Sequence, residues 1–214
     1  GGKYSLAASQ RRVEALIDSL DAKGIIDRRR VGLSGFSSTC LGVKYFLTHS
    51  DYEITAALVA DGADSGYFQY MLVGSGQGFS EGESQIGSAP FGLGLKAWLE
   101  NSPGFLMDQI RTPMRIEANR IDGLAYQWEF YAGLRRLDKS VELYYYPQGS
   151  HSEVRVPDWL ETAQGAVDWY RFWLLGLLPA DPGRSEQLLK LKDKQSEVLA
   201  RPKAPRLLWT PSVK

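Results

Sequence analysis

The sequence has little cysteine, little histidine and no excess of charge. Cys40 is its single cysteine, which excludes an intrachain disulfide framework and any multi-cysteine zinc site. The residues predict no metal and no cofactor. The 25 basic residues are balanced by 25 acidic residues, so the formal net charge is zero. That balance argues against a protein built to bind nucleic acid, whose affinity comes from an excess of positive charge.

The sequence also lacks a long apolar run. The stretch around 169–178 is shorter than the roughly 20 residues that a membrane span needs, and Arg171 interrupts it. We therefore expect no membrane partner. The first residues, Gly-Gly-Lys-Tyr-Ser, are neither a signal peptide nor an initiator methionine, so we expect that residues upstream have been removed.

Hydrophobic periodicity predicts helices that alternate with strands. The run Ile54–Ala60 is apolar, as in a strand that is buried on both faces of a parallel sheet. This alternation indicates an α/β fold. The predicted helices are 6–23, 39–48, 127–137, 159–174 and 184–200, and the predicted strands are 30–33, 54–60, 114–118 and 141–146.

Two segments stand apart from this alternation. Residues 66–105 are rich in glycine and aromatic residues and are too long for an ordinary connection, so they predict an insert. Its aromatic side chains form either an apolar specificity pocket or a small core of their own. Residues 179–214 predict a charged surface helix followed by a loose, proline-rich tail.

A candidate nucleophile follows the strand predicted at 30–33. Ser37 lies between this strand and a helix, which is the context of a nucleophile elbow, where a serine hydroxyl is exposed above the sheet. The backbone amide of Ser38 is then placed to donate to an oxyanion. Thr39 stands where the elbow pattern has glycine, and a plain glycine–serine turn is the alternative. Ser34 is a second serine, on the strand side of the turn.

A serine nucleophile needs a base, and the chain has two histidines. His49 lies about a dozen residues after Ser37 in the predicted helix, which places it well over 10 Å away at ~1.5 Å per residue. His151 follows the last predicted strand, at the end of the sheet where functional groups of parallel strands are found. His151 is therefore the predicted general base.

The acid that orients the histidine is expected after the strand predicted at 114–118. Asp122 lies there, and Glu117 and Glu129 are the alternatives. The order Ser37, Asp122 and His151 is the nucleophile–acid–histidine order of α/β-hydrolases.

From about Leu6 to Leu178 the sequence resembles the C-terminal part of the catalytic domain of the prolyl oligopeptidase family of serine peptidases. It is also similar to lasso-peptide isopeptidases, a branch of that family. The stretches that carry the resemblance are Gly24-Ile-Ile-Asp27, Arg30-Val-Gly32, Gly35-Phe-Ser37, Ile110-Arg-Thr-Pro113, Tyr131–Leu137, Lys139–Pro147, His151 and Asp168–Trp173.

The resemblance implies an α/β-hydrolase sheet with Ser37 as nucleophile, His151 as base and Asp122 as acid. The sequence departs from the family at Thr39 and Cys40, where glycines are usual, and at Glu117-Ala118, where His-Gly is usual. Family members place several strands, and commonly a β-propeller, before the helix predicted at 6–23. The resemblance therefore implies that this chain is the C-terminal part of a longer protein that lacks the N-terminal strands of the sheet, and that such an upstream segment is its partner.

These features predict a serine hydrolase that cleaves short peptides through an acyl-enzyme at Ser37. An esterase acting on small esters is an alternative, because a triad and a fold do not decide between amide and ester substrates. A non-catalytic α/β-hydrolase relative used for binding is a second alternative.

Overall fold

The computed structural model describes residues 5–62, 66–73, 77–152 and 155–206, and the side chains of 77–81 are outside the description. The described chain forms a parallel sheet of four strands in the order β1-β2-β3-β4, which is their order in the sequence. The α/β-hydrolase-like parallel sheet is thus confirmed. The strands are β1 (Gly32–Phe36), β2 (Ala56–Ala60), β3 (Met114–Asn119) and β4 (Val141–Tyr146).

Helices cover both faces of this sheet. They are α1 (Leu6–Ala22), α2 (Thr39–His49), α3 (Tyr67–Val73), α4 (Gln77–Ile86), α5 (Leu95–Asn101), α6 (Arg120–Arg136), α7 (Val156–Leu175) and α8 (Pro182–Ala200), with three short 3-10 turns between residues 92 and 109. Among the described helices none is long and apolar enough to cross a lipid bilayer.

Apolar side chains on the two faces form separate clusters. On one face α1, α2 and α6 pack against the sheet through residues such as Ile17, Phe46 and Phe130. On the other face α7 and α8 contribute Trp169 and Leu188, both fully buried. Burial on both faces explains why β2 is an apolar run rather than an alternating pattern.

The main difference from the predicted elements lies after β3. The helix predicted at 127–137 begins at Arg120 instead, so β3 leads into α6 without a loop. This first part lacks an apolar pattern, because Arg120, Ile121 and Asp122 are exposed and Gly123 has no side chain. The elbow strand is 32–36 rather than 30–33. Of the predicted tail, residues 207–214 lie outside the described residues.

A buried ion network explains how β3 accommodates a charged residue. Arg115 is 1% exposed, and its guanidinium donates to Glu117 at 2.7 Å and to Glu142 at 3.1 Å. Arg184 of α8 reaches the same Glu142 carboxylate at 2.6 Å. The charges are paired, which is the condition for burying them.

Replacing Arg115 with methionine is expected to lower the free energy of unfolding by about 3–5 kcal/mol, because Glu117 and Glu142 would each lose a buried ion pair. Denaturant unfolding measures this loss. Arg29→Met is the control: its side chain is 84% exposed beside Asp27, and its loss is expected to leave the free energy of unfolding nearly unchanged. Equal losses in the two variants would contradict this interpretation of the network.

Candidate active site

Ser37 stands at a sharp turn between β1 and α2. Its backbone φ is 54°, in the left-handed region that residues other than glycine rarely adopt. The Ser37 N–H donates to the carbonyl oxygen of Ala60 at 3.1 Å, and the Cys40 N–H donates to the Ser37 carbonyl at 3.1 Å. The turn is thereby tied to β2 and to the first turn of α2. The chain makes the strand–turn–helix geometry that a nucleophile elbow requires.

Thr39 braces the turn at a position where the family usually has glycine. The Phe36 N–H donates to Thr39 Oγ1 at 2.8 Å, and Oγ1 donates to the Phe36 carbonyl at 2.6 Å. Thr39 is exposed, and its hydroxyl bonds back to the main chain of Phe36. The first turn of α2 comes closest to the chain after β2 at Gly62, where an added Cβ would lie 2.1 Å from Cys40 Sγ.

His151 reaches Ser37 from the loop after β4. His151 Nε2 lies 3.0 Å from Ser37 Oγ, which is hydrogen-bond distance for a nucleophile and its base. The imidazole stacks on Phe36 with ring centroids 5.0 Å apart. Its side chain is 45% exposed, so one side of the ring is open to a substrate.

The carboxylate that touches the histidine belongs to Asp61, at the end of β2. Asp61 Oδ2 lies 2.6 Å from His151 Nδ1, and the Asp61 side chain is 3% exposed. Its second oxygen, Oδ1, accepts a hydrogen bond from the Asn119 N–H at 3.1 Å. Asp61 has a φ of 46°, and Gly123 of α6 leaves the space that its carboxylate occupies.

The structure does not bring Asp122 to His151. Because α6 begins at Arg120, Asp122 lies in the first turn of a helix rather than on a loop that bends toward the histidine. Its Oδ2 accepts a hydrogen bond from Arg120 Nη2 at 3.0 Å, and about half of the side chain is exposed. The hydrogen-bonded set in the structure is therefore Ser37, His151 and Asp61, and Asp122, expected from the sequence, is not among the partners of His151 in the described residues.

The two alternative acids are also engaged elsewhere. Glu117 is buried beside Arg115 in β3. Glu129 accepts the backbone N–H groups of Phe68 and Gln69 at the start of α3, at 2.9 and 3.3 Å. Neither carboxylate is a hydrogen-bond partner of His151 in the described residues.

The other serine and the other histidine have structural partners. Ser34 Oγ lies 2.7 Å from the hydroxyl of Tyr170. His49 ends α2, stacks on Tyr45 at 3.8 Å and places its Nε2 3.0 Å from the Glu100 carbonyl oxygen. Burial lowers the pKa of His49. These contacts agree with the prediction that His49 is not the base for Ser37.

A buried lysine supports the turn that carries Asp61. Lys44 is fully buried in α2, and its Nζ donates to Gln127 Oε1 at 2.8 Å. Gln127 in turn donates to the Gly62 carbonyl at 3.3 Å. Burial lowers the pKa of Lys44 to about 7. This contact fixes the Asp61–Gly62 turn from the side of α2 and α6.

Two cavities meet at the elbow. A small one of about 220 Å³ is lined by Ser37, Asp61, His151 and Arg120, and a larger apolar one of about 680 Å³ runs between α1, α2 and the insert. Ser38 and Gln69 line both. In the insert, the rings of Tyr70 and Trp98 pack at 5.2 Å and also line the larger cavity. Tyr70 and Trp98 thus belong both to a small core within the insert and to the cavity wall.

Asp61 was missed because the acid was sought on the strand before the histidine. A signal for it was present: an aspartate followed by glycine ends the apolar run Ile54–Ala60, directly beside the elbow strand. A carboxylate at that end of a parallel strand lies at the same edge of the sheet as Ser37 and His151.

The chain is similar in sequence to a known peptidase. The chain is 28% identical over 179 residues to the lasso peptide isopeptidase AtxE2 of Asticcacaulis excentricus, a match that covers 82% of this chain and 25% of that protein. No family model matches. The chain therefore spans about a quarter of the length of this curated relative.

Solved structures show the same fold. A serine-to-alanine variant of AtxE2 with Astexin3-dC4 bound superposes with a TM-score of 0.73 at 24% identity, covering 87% of this chain and 28% of that one. The acylaminoacyl peptidase of Pyrococcus horikoshii gives 0.65 at 19% identity, covering 85% and 29%. A puromycin-hydrolyzing peptidase of Mycobacterium tuberculosis gives 0.65 at 19%, covering 81% and 26%. The resemblance to the prolyl oligopeptidase family is confirmed.

Proposed function

We propose that this chain carries the nucleophile, the base and the acid of a serine peptidase. The observation that carries the proposal is the continuous set of contacts from Ser37 Oγ to His151 at 3.0 Å and from His151 to Asp61 at 2.6 Å. In a nucleophile–base–orienting acid arrangement, each of these two contacts has a defined role. The peptidases among its relatives support the same reaction class.

The proposed reaction proceeds in two halves. Ser37 Oγ attacks the carbonyl carbon of the scissile amide while His151 Nε2 takes the hydroxyl proton. The C–N bond then breaks, and the imidazolium returns this proton to the leaving amine, which gives an acyl-enzyme on Ser37. Water attacks the ester in the second half with His151 again as base, releasing the acid product and restoring the hydroxyl.

Asp61 and the Ser38 amide stabilise the charges that form during the proposed reaction. Asp61 accepts the His151 Nδ1–H, which holds the tautomer with a free Nε2 lone pair and stabilises the imidazolium. The Ser38 amide, at the start of α2, donates to the oxyanion that forms on the attacked carbonyl. Removing one such donor typically costs ~10²–10³ in rate.

The proposed substrates are short peptides. One solved relative holds Astexin3-dC4, and two others are named as peptidases. An esterase with the same three residues is the second candidate. Turnover of an amide and an ester with the same acyl group by the full-length protein separates the two. Cleavage of the amide supports a peptidase, and cleavage of the ester alone supports an esterase. Turnover of neither substrate would favour a non-catalytic relative that is used for binding.

The rate is expected to fall as the pH decreases from about 8 to 5, because protonated histidine cannot accept the Ser37 proton. A pH profile of kcat/KM under conditions where chemistry limits the rate measures this. His49→Gln removes the histidine at the end of α2 and is expected to keep the midpoint of the profile. A flat profile over this range would contradict a role for His151 as base.

A further inference from the structure

Asn119 joins the loop of the candidate base to the candidate acid. It is the last residue of β3 and is 6% exposed. Its backbone N–H donates to Asp61 Oδ1 at 3.1 Å, and its side-chain Nδ2 donates to the carbonyl oxygen of Ser150 at 2.8 Å. Ser150 directly precedes His151 in the chain. One residue therefore contacts both the acid and the segment that carries the base.

The hydrogen bond from the Asn119 N–H to Asp61 takes the place of a backbone hydrogen bond between β2 and β3. Ala60 pairs with Glu117, and the Asp61 N–H continues this ladder by donating to the Glu117 carbonyl at 2.8 Å. At the next step the Asn119 N–H meets the carboxylate of Asp61 rather than its main chain. Asp61 is in the left-handed region, so its backbone turns away from the ladder and its side chain takes the vacated place. The orientation of this carboxylate is thus set by β3.

The side-chain bond differs from the usual role of asparagine at this place. Asn119 is the N-cap of α6, where an asparagine side chain commonly accepts a hydrogen bond from the first turn of the helix. It makes no such cap here and extends to the Ser150 carbonyl instead. Helix capping therefore does not account for the orientation of its carboxamide.

The position of His151 depends on this contact. The imidazole is 45% exposed and is held on its other sides by Asp61 and by the stack on Phe36. Its backbone follows a turn in which the Gly149 N–H donates to the Tyr146 carbonyl at 3.1 Å. A misplacement of about 1 Å can cost on the order of 10²-fold in rate.

We propose that Asn119 is a positioning residue that holds the His151 loop against Asp61, so that Nε2 stays within reach of Ser37. The inference rests on the proposed function. Asn119 touches neither the substrate nor the reacting atoms, and it acts through the base and the acid.

The test uses Asn119→Ser and Asn119→Asp in the full-length protein. The Asn119 side chain makes no cap hydrogen bond that could be lost, and serine and aspartate are accepted at an N-cap, so both variants are expected to keep α6. Neither can donate a carboxamide N–H to Ser150. We expect kcat to fall by about 10–10²-fold while KM changes by less than about twofold. Asn101→Ala, which removes a carboxamide bond to the Ala97 carbonyl in α5, is the matched control and is expected to keep kcat.

A second readout does not depend on turnover. The far-downfield proton of the His151 Nδ1–H bonded to Asp61 is assigned by its loss in His151→Ala. We expect this resonance to broaden or disappear in both Asn119 variants and to persist in Asn101→Ala. A wild-type kcat together with an unchanged resonance would overturn the positioning role. Activity that survives Ser37→Ala would instead overturn the proposed function itself.

Discussion

Replacing Ser37 with alanine is expected to lower kcat for peptide and ester substrates by about 10⁶-fold, the loss found when a serine nucleophile is removed. The reason is that no acyl-enzyme can form once Oγ is absent. Stability is expected to change by no more than about 0.5 kcal/mol, because Ser37 is half-buried and its hydroxyl contacts the partly exposed His151. Steady-state kinetics and denaturant unfolding of the same preparation measure the two effects.

Ser34→Ala is the matched control for this variant. Ser34 lies three residues earlier in β1, and its hydroxyl contacts Tyr170 rather than His151. It is expected to keep near wild-type kcat. Near wild-type turnover by Ser37→Ala, or an equal loss in both variants, would contradict the assignment of the nucleophile.

Replacing Asp61 with asparagine is expected to lower kcat by about 10⁴-fold, as for the acid of other triads. The Asn119 N–H would draw the carboxamide oxygen to the place of Oδ1. The new NH₂ group would then face His151 Nδ1 and donate to it, so the ring proton would move to Nε2. A histidine in that tautomer cannot accept the proton of Ser37.

Asp122→Asn is the comparison that decides between the two carboxylates. Asp122 is half exposed and bonded to Arg120, so its replacement is expected to leave kcat close to the wild-type value. Steady-state kinetics of both variants on one substrate provide the measurement. A large loss in Asp122→Asn with little effect in Asp61→Asn would restore the acid first expected from the sequence and contradict the acid proposed from the geometry.

The sheet could be predicted from the sequence because its signals are local. The apolar run Ile54–Ala60 and the aromatic run Val141–Tyr146 each bury a strand, and the glycine before Ser37 marks the turn into α2. Parallel strands in sequence order then bring their carboxyl ends to one edge. Ser37 and His151 follow two of these ends, and their contact at 3.0 Å agrees with that expectation.

The acid could not be chosen in the same way, because it depends on where α6 begins. Two aspartates follow neighbouring strands, and the sequence pattern does not show which one turns toward His151. The start of α6 at Arg120 removes the loop that would have carried Asp122 inward. The left-handed backbone of Asp61 turns its carboxylate to the site instead. Both features arise from tertiary packing, including the space left at Gly123.

Covalent labelling by a fluorophosphonate tests most directly whether Ser37 is an activated nucleophile. Intact-mass and peptide analysis of the full-length protein should show one adduct, located on Ser37, absent from Ser37→Ala and formed much more slowly by Asp61→Asn. Labelling of the wild type at another residue, or no labelling of a protein that still hydrolyses peptides, would contradict the Ser37–His151–Asp61 arrangement as the catalytic centre.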